Sequence, residues 1–442
     1  MSEQTKRAVA VPRSRISRLG RLGSLAGRVA GNMLIDGGKQ LARGQRPAAR
    51  DLLLTPSNMQ QLANKLATMR GAAMKVGQLL SMDTGNLLPA ELTAILERLR
   101  EDAVIMPAVQ LHDALERNWG ENWSDNFVRF SFEPIAAASI GQVHRAMSRN
   151  EQDMAVKIQY PGVKESIDSD LDNVFGLLRL SGLIPKELDL NPLIDEARSQ
   201  LKREADYALE GASIEEYYAA LSTSALKDRF LMPRFFSDYS TPEILCMSYV
   251  EGVSLDALQS APQSVRDRCV ADLFELLLME FTQFGFVQTD PNLANYQYST
   301  AEDKVVLLDF GANRAFERPF VERYCRAIRA AIEQQSDTLA QALSDLGFFA
   351  QNRQQSNLPL VLDIFMMAME PLRSDGVYDF GATDLAQRIH QKGLEISSNP
   401  DAWHTPPPDV LFLHRKLAGL YLIATRFKAR VDVAAIAQRY LF

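Results

Sequence analysis

Three short strings, and the order in which they occur, constrain this chain more than anything else in it. "AVKI" at 155–158 sits in a run of period two, "TDPNLAN" at 289–295 precedes a hairpin pattern, and "LLDFG" at 307–311 ends that hairpin. In the first run Met154, Val156, Ile158 and Tyr160 share one face of a strand, and Ala155, Lys157 and Gln159 share the other. Lys157 is therefore predicted to face away from the apolar stripe. In the second string Asp290 and Asn295 stand five positions apart, with Gln288 two positions before the Asp.

The surrounding pattern changes period several times. Residues 57–99 read as helical, with Pro89 and Glu91 as a first turn and Leu92, Ile95, Leu96 and Leu99 at helical spacing. From residue 127 the period drops to two: "FVRFSF" sets Val128, Phe130 and Phe132 against Arg129 and Ser131. "GQVHRAM" and "MAVKIQY" follow as a hairpin around polar "SRNEQD". Asn191 and Pro192 read as a cap and first helical residue, opening a helix that carries "EADYALE", that is Glu204, Asp206 and Glu210. "EILCMSYVEG" reads as a strand ending at Glu251. The rest is expected to be helical, apart from a hairpin pairing Asn295–Tyr298 with Val305–Leu308.

Composition excludes several classes. A chain of 442 residues is expected to divide into two or three lobes. A net charge of -7 argues against a nucleic-acid binder. The three cysteines form no C-x-x-C pair, so neither a zinc site nor a redox motif is expected, and a reducing cytoplasm fits. The apolar run "LAGLYLIAT" has nine residues, where a membrane span needs roughly 20. No secretory signal pattern opens the chain. Residues 1–50, however, hold eleven Lys or Arg against two acids. Leu22, Leu25, Val29 and Met33 fall on one helical face there, and Gly23, Gly27 and Gly31 recur every four residues. This basic head reads as a peripheral membrane segment, a solvated tail or, ranked lower, an Arg-rich mitochondrial import segment.

The three strings supply what phosphoryl transfer requires, namely held phosphates, a positioned metal and a polar group near the acceptor. Lys157 in "AVKI" suits the α- and β-phosphates of ATP, and Glu204, 47 residues on, suits a partner for it. Asp290 suits the orientation of a nucleophile. Asn295 and Asp309 offer oxygen ligands to Mg²⁺. The small-residue stretch Ala136, Ala137, Ala138 and Ser139 stands where a glycine-rich phosphate loop is normally found, with alanines where glycines would let backbone amides approach closely.

On these motifs the chain resembles the UbiB (ADCK) family of atypical kinases, over about residues 55–430. The resemblance is carried by "KVGQLLSMD" with Lys75, Gly77 and Gln78 as its KxGQ, by "AAASIGQVH", "MAVKIQYPGV", "EADYALE", "TDPNLAN" and "LLDFG", and by the late "PPPDVLFLHRKLAGLYLIATRFKARV". It implies an α+β, bilobal protein-kinase-like fold with an N-terminal helical extension carrying the KxGQ motif. The expected division is a basic segment at 1–50, the extension at 51–125, an N-lobe at 126–252 and a helical C-lobe at 253–442. Lys75 and Gln78, at i and i+3, share one helix face. The resemblance also implies binding of ATP and ADP with Mg²⁺, hydrolysis or atypical kinase activity in place of ordinary protein phosphorylation, and a role in ubiquinone or other isoprenoid-lipid metabolism through contact with an isoprenoid lipid or quinone intermediate. By position Glu251 joins the nucleotide contacts, and Glu204, Asp206 and Glu210 form the family's acidic ExD motif.

The catalytic loop departs from the family's usual H-A-D-P-H-P-G-N. Gln288 replaces its first His, and Asn292-Leu293-Ala294 replaces its inner His-Pro-Gly, which implies altered turnover or an altered acceptor. A nucleotide-gated lipid or protein binding module without turnover is the alternative. An antibiotic-kinase-like activity is a third, against which the KxGQ helix argues. A cytoplasmic protein, peripheral on the inner membrane face, is the expected setting.

Overall fold

The computed structural model describes residues 71–72, 76, 105–180, 191–349, 358–397 and 406–442. The basic head and the residues Lys75, Gly77 and Gln78 lie outside the described residues. The described ones fall into two compact units, residues up to Ala212 with Phe235–Tyr249, and Ser213–Arg234 with Val250–Phe442.

The first unit is built on a four-stranded antiparallel sheet. Its strands are β1 (Phe127–Ala137), β2 (Gly141–Ser148), β3 (Asp153–Gln159) and, after three helices and a short strand β4 (Phe230–Leu231), β5 (Ile244–Ser248), in the order β1-β2-β3-β5. The stripe expected on β3 is the core stripe: Met154, Val156, Ile158 and Tyr160 are buried together with Leu111, Leu115, Trp123 and Cys246. Helix α1 (Ala108–Trp119) supplies Leu111 and Leu115 and stops at Gly120, whose φ of 84° ends the helix in the left-handed region.

The faces expected for β1 are not those found. Val128 is 68% exposed and Phe132 45% exposed, whereas Phe127 is buried. The register with β2 shifts between Phe127 and Arg129 and again between Phe130 and Pro134. Each such irregularity turns the following side chains to the other face, which simple alternation does not anticipate.

Two helices follow the sheet hairpin, α2 (Val163–Leu180) and α3 (Asn191–Glu204). The helix expected to continue through "EADYALE" breaks. Asp206 caps a new helix, α4 (Tyr207–Ser222), by accepting from the N–H groups of Ala208 at 3.2 Å and Leu209 at 3.3 Å.

The second unit is mostly helical, with three small sheets. Strands β6 (Val253–Ser254), β8 (Tyr296–Ser299) and β9 (Lys304–Leu307) join β4 in the order β4-β9-β8-β6. Strand β7 (Phe286–Gln288) pairs with β10 (Asn313–Ala315), and β11 (Tyr378–Asp379) with β12 (Arg430–Val431). The first and last of these sheets contain the expected hairpin and two-residue strands too short to read by period. The helices are α5 (Gln263–Met279), α6 (Arg318–Ile332), α7 (Ser336–Asp345), α8 (Leu358–Ala368), α9 (Leu385–Ser397), α10 (Pro408–Arg426) and α11 (Val433–Leu441). Helix α5 runs into a π-helical turn, Glu280–Phe284, closed by Gly285 at φ 77°. Among the described residues no helix is long and apolar enough to cross a membrane.

Two glycines test this packing in opposite directions. A Cβ on Gly141 would lie 2.4 Å from the Ile158 carbonyl oxygen and 2.9 Å from the Tyr207 hydroxyl, so Gly141→Ala is expected to cost about 1–3 kcal/mol. Gly176, inside α2, meets nothing within 4 Å, and Gly176→Ala is expected to add about 0.5–1 kcal/mol. Urea denaturation of the two variants checks both signs.

His144 gives the first unit an acid sensitivity. Its Nδ1–H donates to the Ser131 carbonyl at 2.7 Å, which leaves Nε2 to accept from Gln142 at 2.8 Å, so the ring is held neutral. Burial pushes its pKa from the ordinary 6.5 down to about 4, against the Ser131 hydrogen bond. The unfolded chain therefore binds a proton that the folded one refuses, and stability present above pH 6.5 is lost as pH falls towards 4. The loss is on the order of 3 kcal/mol. Urea midpoints between pH 7 and 4 should fall less steeply in His144→Gln than in the wild type.

Candidate functional site

Lys157 projects from the non-core face of β3, and its amino group meets both carboxylate oxygens of Glu210, at 2.7 and 2.8 Å. Both side chains are largely withdrawn from water. The ring of Tyr207 lies 5.0 Å from the same nitrogen. Sequence reading paired Lys157 with Glu204, and this is corrected. The helix break at Ala205–Asp206 ends α3 with Glu204, and of the three acids it is Glu210, on the fresh helix α4, that meets Lys157 of β3. Glu204 instead accepts from the Ser139 hydroxyl at 3.3 Å, in the alanine-rich stretch. Asp206 serves as the helix cap described above.

That stretch is a hairpin end, not an open loop. Ala136 and Ala137 belong to β1, opposite Val143 and Gln142, and the Ala138 N–H donates to the Gly141 carbonyl at 2.8 Å. Ala136 and Ala137 are exposed, Ala138 and Ser139 half-buried. Gly71, on a helical segment whose Ala72 and Val76 are buried, presses against this turn: a Cβ there would lie 2.8 Å from Ile140 and 3.4 Å from the Ser139 carbonyl oxygen. Glu251 is exposed just beyond β5.

In the second unit β7 delivers the chain into the loop at 289–295. Thr289 is tied to the Ala312 carbonyl by both its N–H, at 3.1 Å, and its hydroxyl, at 2.9 Å. Asn292 accepts from the Ala294 N–H at 3.1 Å, an Asx turn that starts the single 3₁₀ turn Leu293–Asn295. That turn folds Asn295 back, so its amide donates to Asp290 Oδ2 at 2.9 Å and to the Asp290 carbonyl at 3.2 Å. The other carboxylate oxygen of Asp290 accepts from Arg415 of α10 at 2.6 Å. Asp309 accepts from the Gly311 N–H at 2.9 Å, as an Asp opening a turn does. Its Oδ2, and the Oδ1 of Asn295, have no protein partner among the described residues, and both residues line one small cavity. These are hard oxygen donors of the kind Mg²⁺ takes.

Arg415 and Lys416 were not singled out in the sequence. Lys416 is buried and donates to the Tyr296 hydroxyl at 2.6 Å and to Gln288 Oε1 at 3.2 Å. The string "HRKLAG" offered a signal: two adjacent cations in an otherwise apolar helix. Gly419 in it is also required, since a Cβ there would lie 2.2 Å from Cβ of Pro291. Helix α10 therefore touches the loop through Arg415 and Gly419, and its two flanking residues through Lys416.

The correction at Glu204 has a measurable consequence. Glu210→Ala removes the buried carboxylate that meets the Lys157 ammonium with both oxygens and is expected to cost about 3–5 kcal/mol, whereas Glu204→Ala, at a half-buried hydroxyl contact, is expected to cost about 1 kcal/mol. Chemical denaturation of the two variants distinguishes them; equal losses would refute the pairing.

Residues 98–343 match the ABC1 atypical kinase-like domain. The chain is 37% identical over 437 residues to the atypical kinase COQ8, mitochondrial, of Saccharomyces cerevisiae, covering 98% of this chain and 86% of the relative. It is 36% identical over 428 residues to the atypical kinase COQ8B, mitochondrial, of Rattus norvegicus, covering 95% and 79%. Among solved structures, Rv3197 of Mycobacterium tuberculosis, in complex with erythromycin, superposes with a TM-score of 0.60 at 26% identity, covering 87% of this chain and 96% of that one. The expected kinase-like α+β fold is the fold found. The cytoplasmic expectation is corrected: the relatives from yeast, rat, fission yeast, nematode and zebrafish are all named mitochondrial, so the comparison points to the mitochondrion. With the family domain spanning more than half of the chain and such relatives matching nearly all of it, the protein belongs to the ABC1, or UbiB, family of atypical kinases.

Proposed function

We propose that this protein binds Mg-ATP and hydrolyses it, or transfers its phosphoryl group to a non-protein acceptor, in support of ubiquinone or another isoprenoid lipid. Membership of a kinase-like family whose relatives are named atypical kinases supports nucleotide binding and kinase or ATPase chemistry of an unconventional kind. The observation that carries the finer reading is the Asp290–Asn295 bond, with Asp309 lining the same cavity.

In this reading Lys157, oriented by Glu210, contacts the α- and β-phosphates. Asn295 Oδ1 and Asp309 Oδ2 hold Mg²⁺, which neutralises charge on the phosphates. Asp290 orients the nucleophile. Its two oxygens are already engaged by Asn295 and Arg415, so a bulky hydroxyl acceptor must compete with a guanidinium. A water is small enough to approach without displacing it, which favours hydrolysis over transfer. The same double engagement suits a nucleotide-gated binding module that never turns over. The alanine-rich turn, half-buried at Ser139, supplies phosphate-side backbone. Contact with an isoprenoid lipid or quinone intermediate, with residues 1–50 at a membrane surface, completes the reading, and the names of the relatives favour a mitochondrial setting.

Thermal unfolding with and without Mg-ATP or Mg-ADP tests the site. A ligand bound only by the folded state adds about 2.7 kcal/mol at 100 times its Kd, and the shift should require Mg²⁺ and vanish in Asp309→Asn. Released phosphate should fall by about 100-fold or more in Asp290→Asn with nucleotide binding kept. Binding without any wild-type hydrolysis would replace the enzyme by the binding module.

A further inference from the structure

Behind the loop, the second unit buries more charge than the proposed chemistry uses. Glu280 is 0% exposed, on the π-helical turn after α5. Its Oε1 accepts from the Tyr217 hydroxyl at 2.6 Å and from the Gln288 N–H at 3.4 Å. Its Oε2 is buried and has no partner. Gln288 is 6% exposed; its Oε1 accepts from Lys416, which as a pure donor fixes the orientation of the amide, and its Nε2 is then buried without an acceptor. Lys416 has three N–H groups and two acceptors, Tyr296 and Gln288. The three residues line one cavity of about 10 Å³, which is the size of a single water.

An unpaired carboxylate oxygen and an unpaired amide N–H facing the same one-water cavity, beside a buried ammonium, form a donor and acceptor set of definite polarity. An orphan left dry forfeits the hydrogen bonds it would make in water. We infer that this cavity is the seat of one resident water that accepts from Gln288 Nε2 and donates to Glu280 Oε2, within reach of the third N–H of Lys416. The water completes a buried bridge between Lys416 and Glu280 and so ties α10 and the π-helical turn to β7, the strand that leads into Asp290. Gln288 has the one requirement that it accept on one side and donate on the other, which an amide meets without titrating. Asn295 and Asp309 line the same cavity, so the bridge stands one layer behind the proposed metal ligands. Lys416 and Glu280 are in this sense positioning residues for Asp290. That last clause rests on the hydrolysis reading; the water itself does not.

A crystal structure of the wild-type chain at a resolution that shows ordered water tests the seat directly. Density within hydrogen-bond distance of both Glu280 Oε2 and Gln288 Nε2 is expected. A direct Lys416–Glu280 contact that closes the cavity, or a peak with the short, all-oxygen coordination of a cation, overturns it. In thermal unfolding, Glu280→Gln and Lys416→Met should each lower Tm, and the double variant should lose less than their sum; additive losses overturn the bridge. Should the variants fail to fold, the wild-type density still decides. For the positioning role, kcat for ATP hydrolysis should fall about tenfold in Glu280→Gln with Mg-ADP affinity kept within about threefold. Equal losses in both overturn positioning and leave the water standing, and a wild type with no hydrolysis marks a failure of the functional reading instead.

Discussion

Everything distinctive in the second unit depends on the way α10 grips the loop at 289–295. Arg415 holds one oxygen of Asp290, Lys416 holds Gln288 and Tyr296, and Gly419 removes the side chain that would collide with Pro291. An Asp in a short loop has little reason of its own to keep one rotamer. Here it has a guanidinium on one oxygen and a folded-back amide on the other, so its position is set before any ligand arrives. The cost is a charged lysine and a glutamate drawn into a nearly dry interior, tolerable only where hydrogen bonds surround them.

The first unit solves a parallel problem by different means. Lys157 must leave the apolar stripe of β3 and still be held. The solution is a second helix start. Asp206 caps α4, the cap reorients the chain, and Glu210 one turn later meets the ammonium with both oxygens. A single unbroken helix would have continued the direction of α3 and carried Glu210 elsewhere. The break also leaves Glu204 beside Ser139, so each acid of the string has its own task.

These two devices suit a family that keeps the polar residues of phosphoryl transfer while changing their surroundings. The alanine-rich turn is a closed hairpin end with a helical segment pressed on it at Gly71, not a flexible glycine loop. Asp290 is doubly engaged where an open carboxylate would be ready for a protein hydroxyl. Both features fit a kinase-like domain that is not a conventional protein kinase.

The sequence by itself determined the local features. The period of two on β3 placed Lys157 off the core face, the order of the three strings placed the chemistry, and the hairpin around 296–307 was legible from its turn residues. Those are consequences of neighbours along the chain, where side-chain period and turn chemistry act. Only the tertiary structure decided which acid meets Lys157, which faces of β1 are buried, and what fastens Asp290. The first turned on a helix break of two residues, the second on register irregularities against β2. The third turned on Arg415 and Lys416, which lie more than a hundred residues downstream of the loop. Such contacts are set by packing between distant segments, and no periodicity within either segment encodes them.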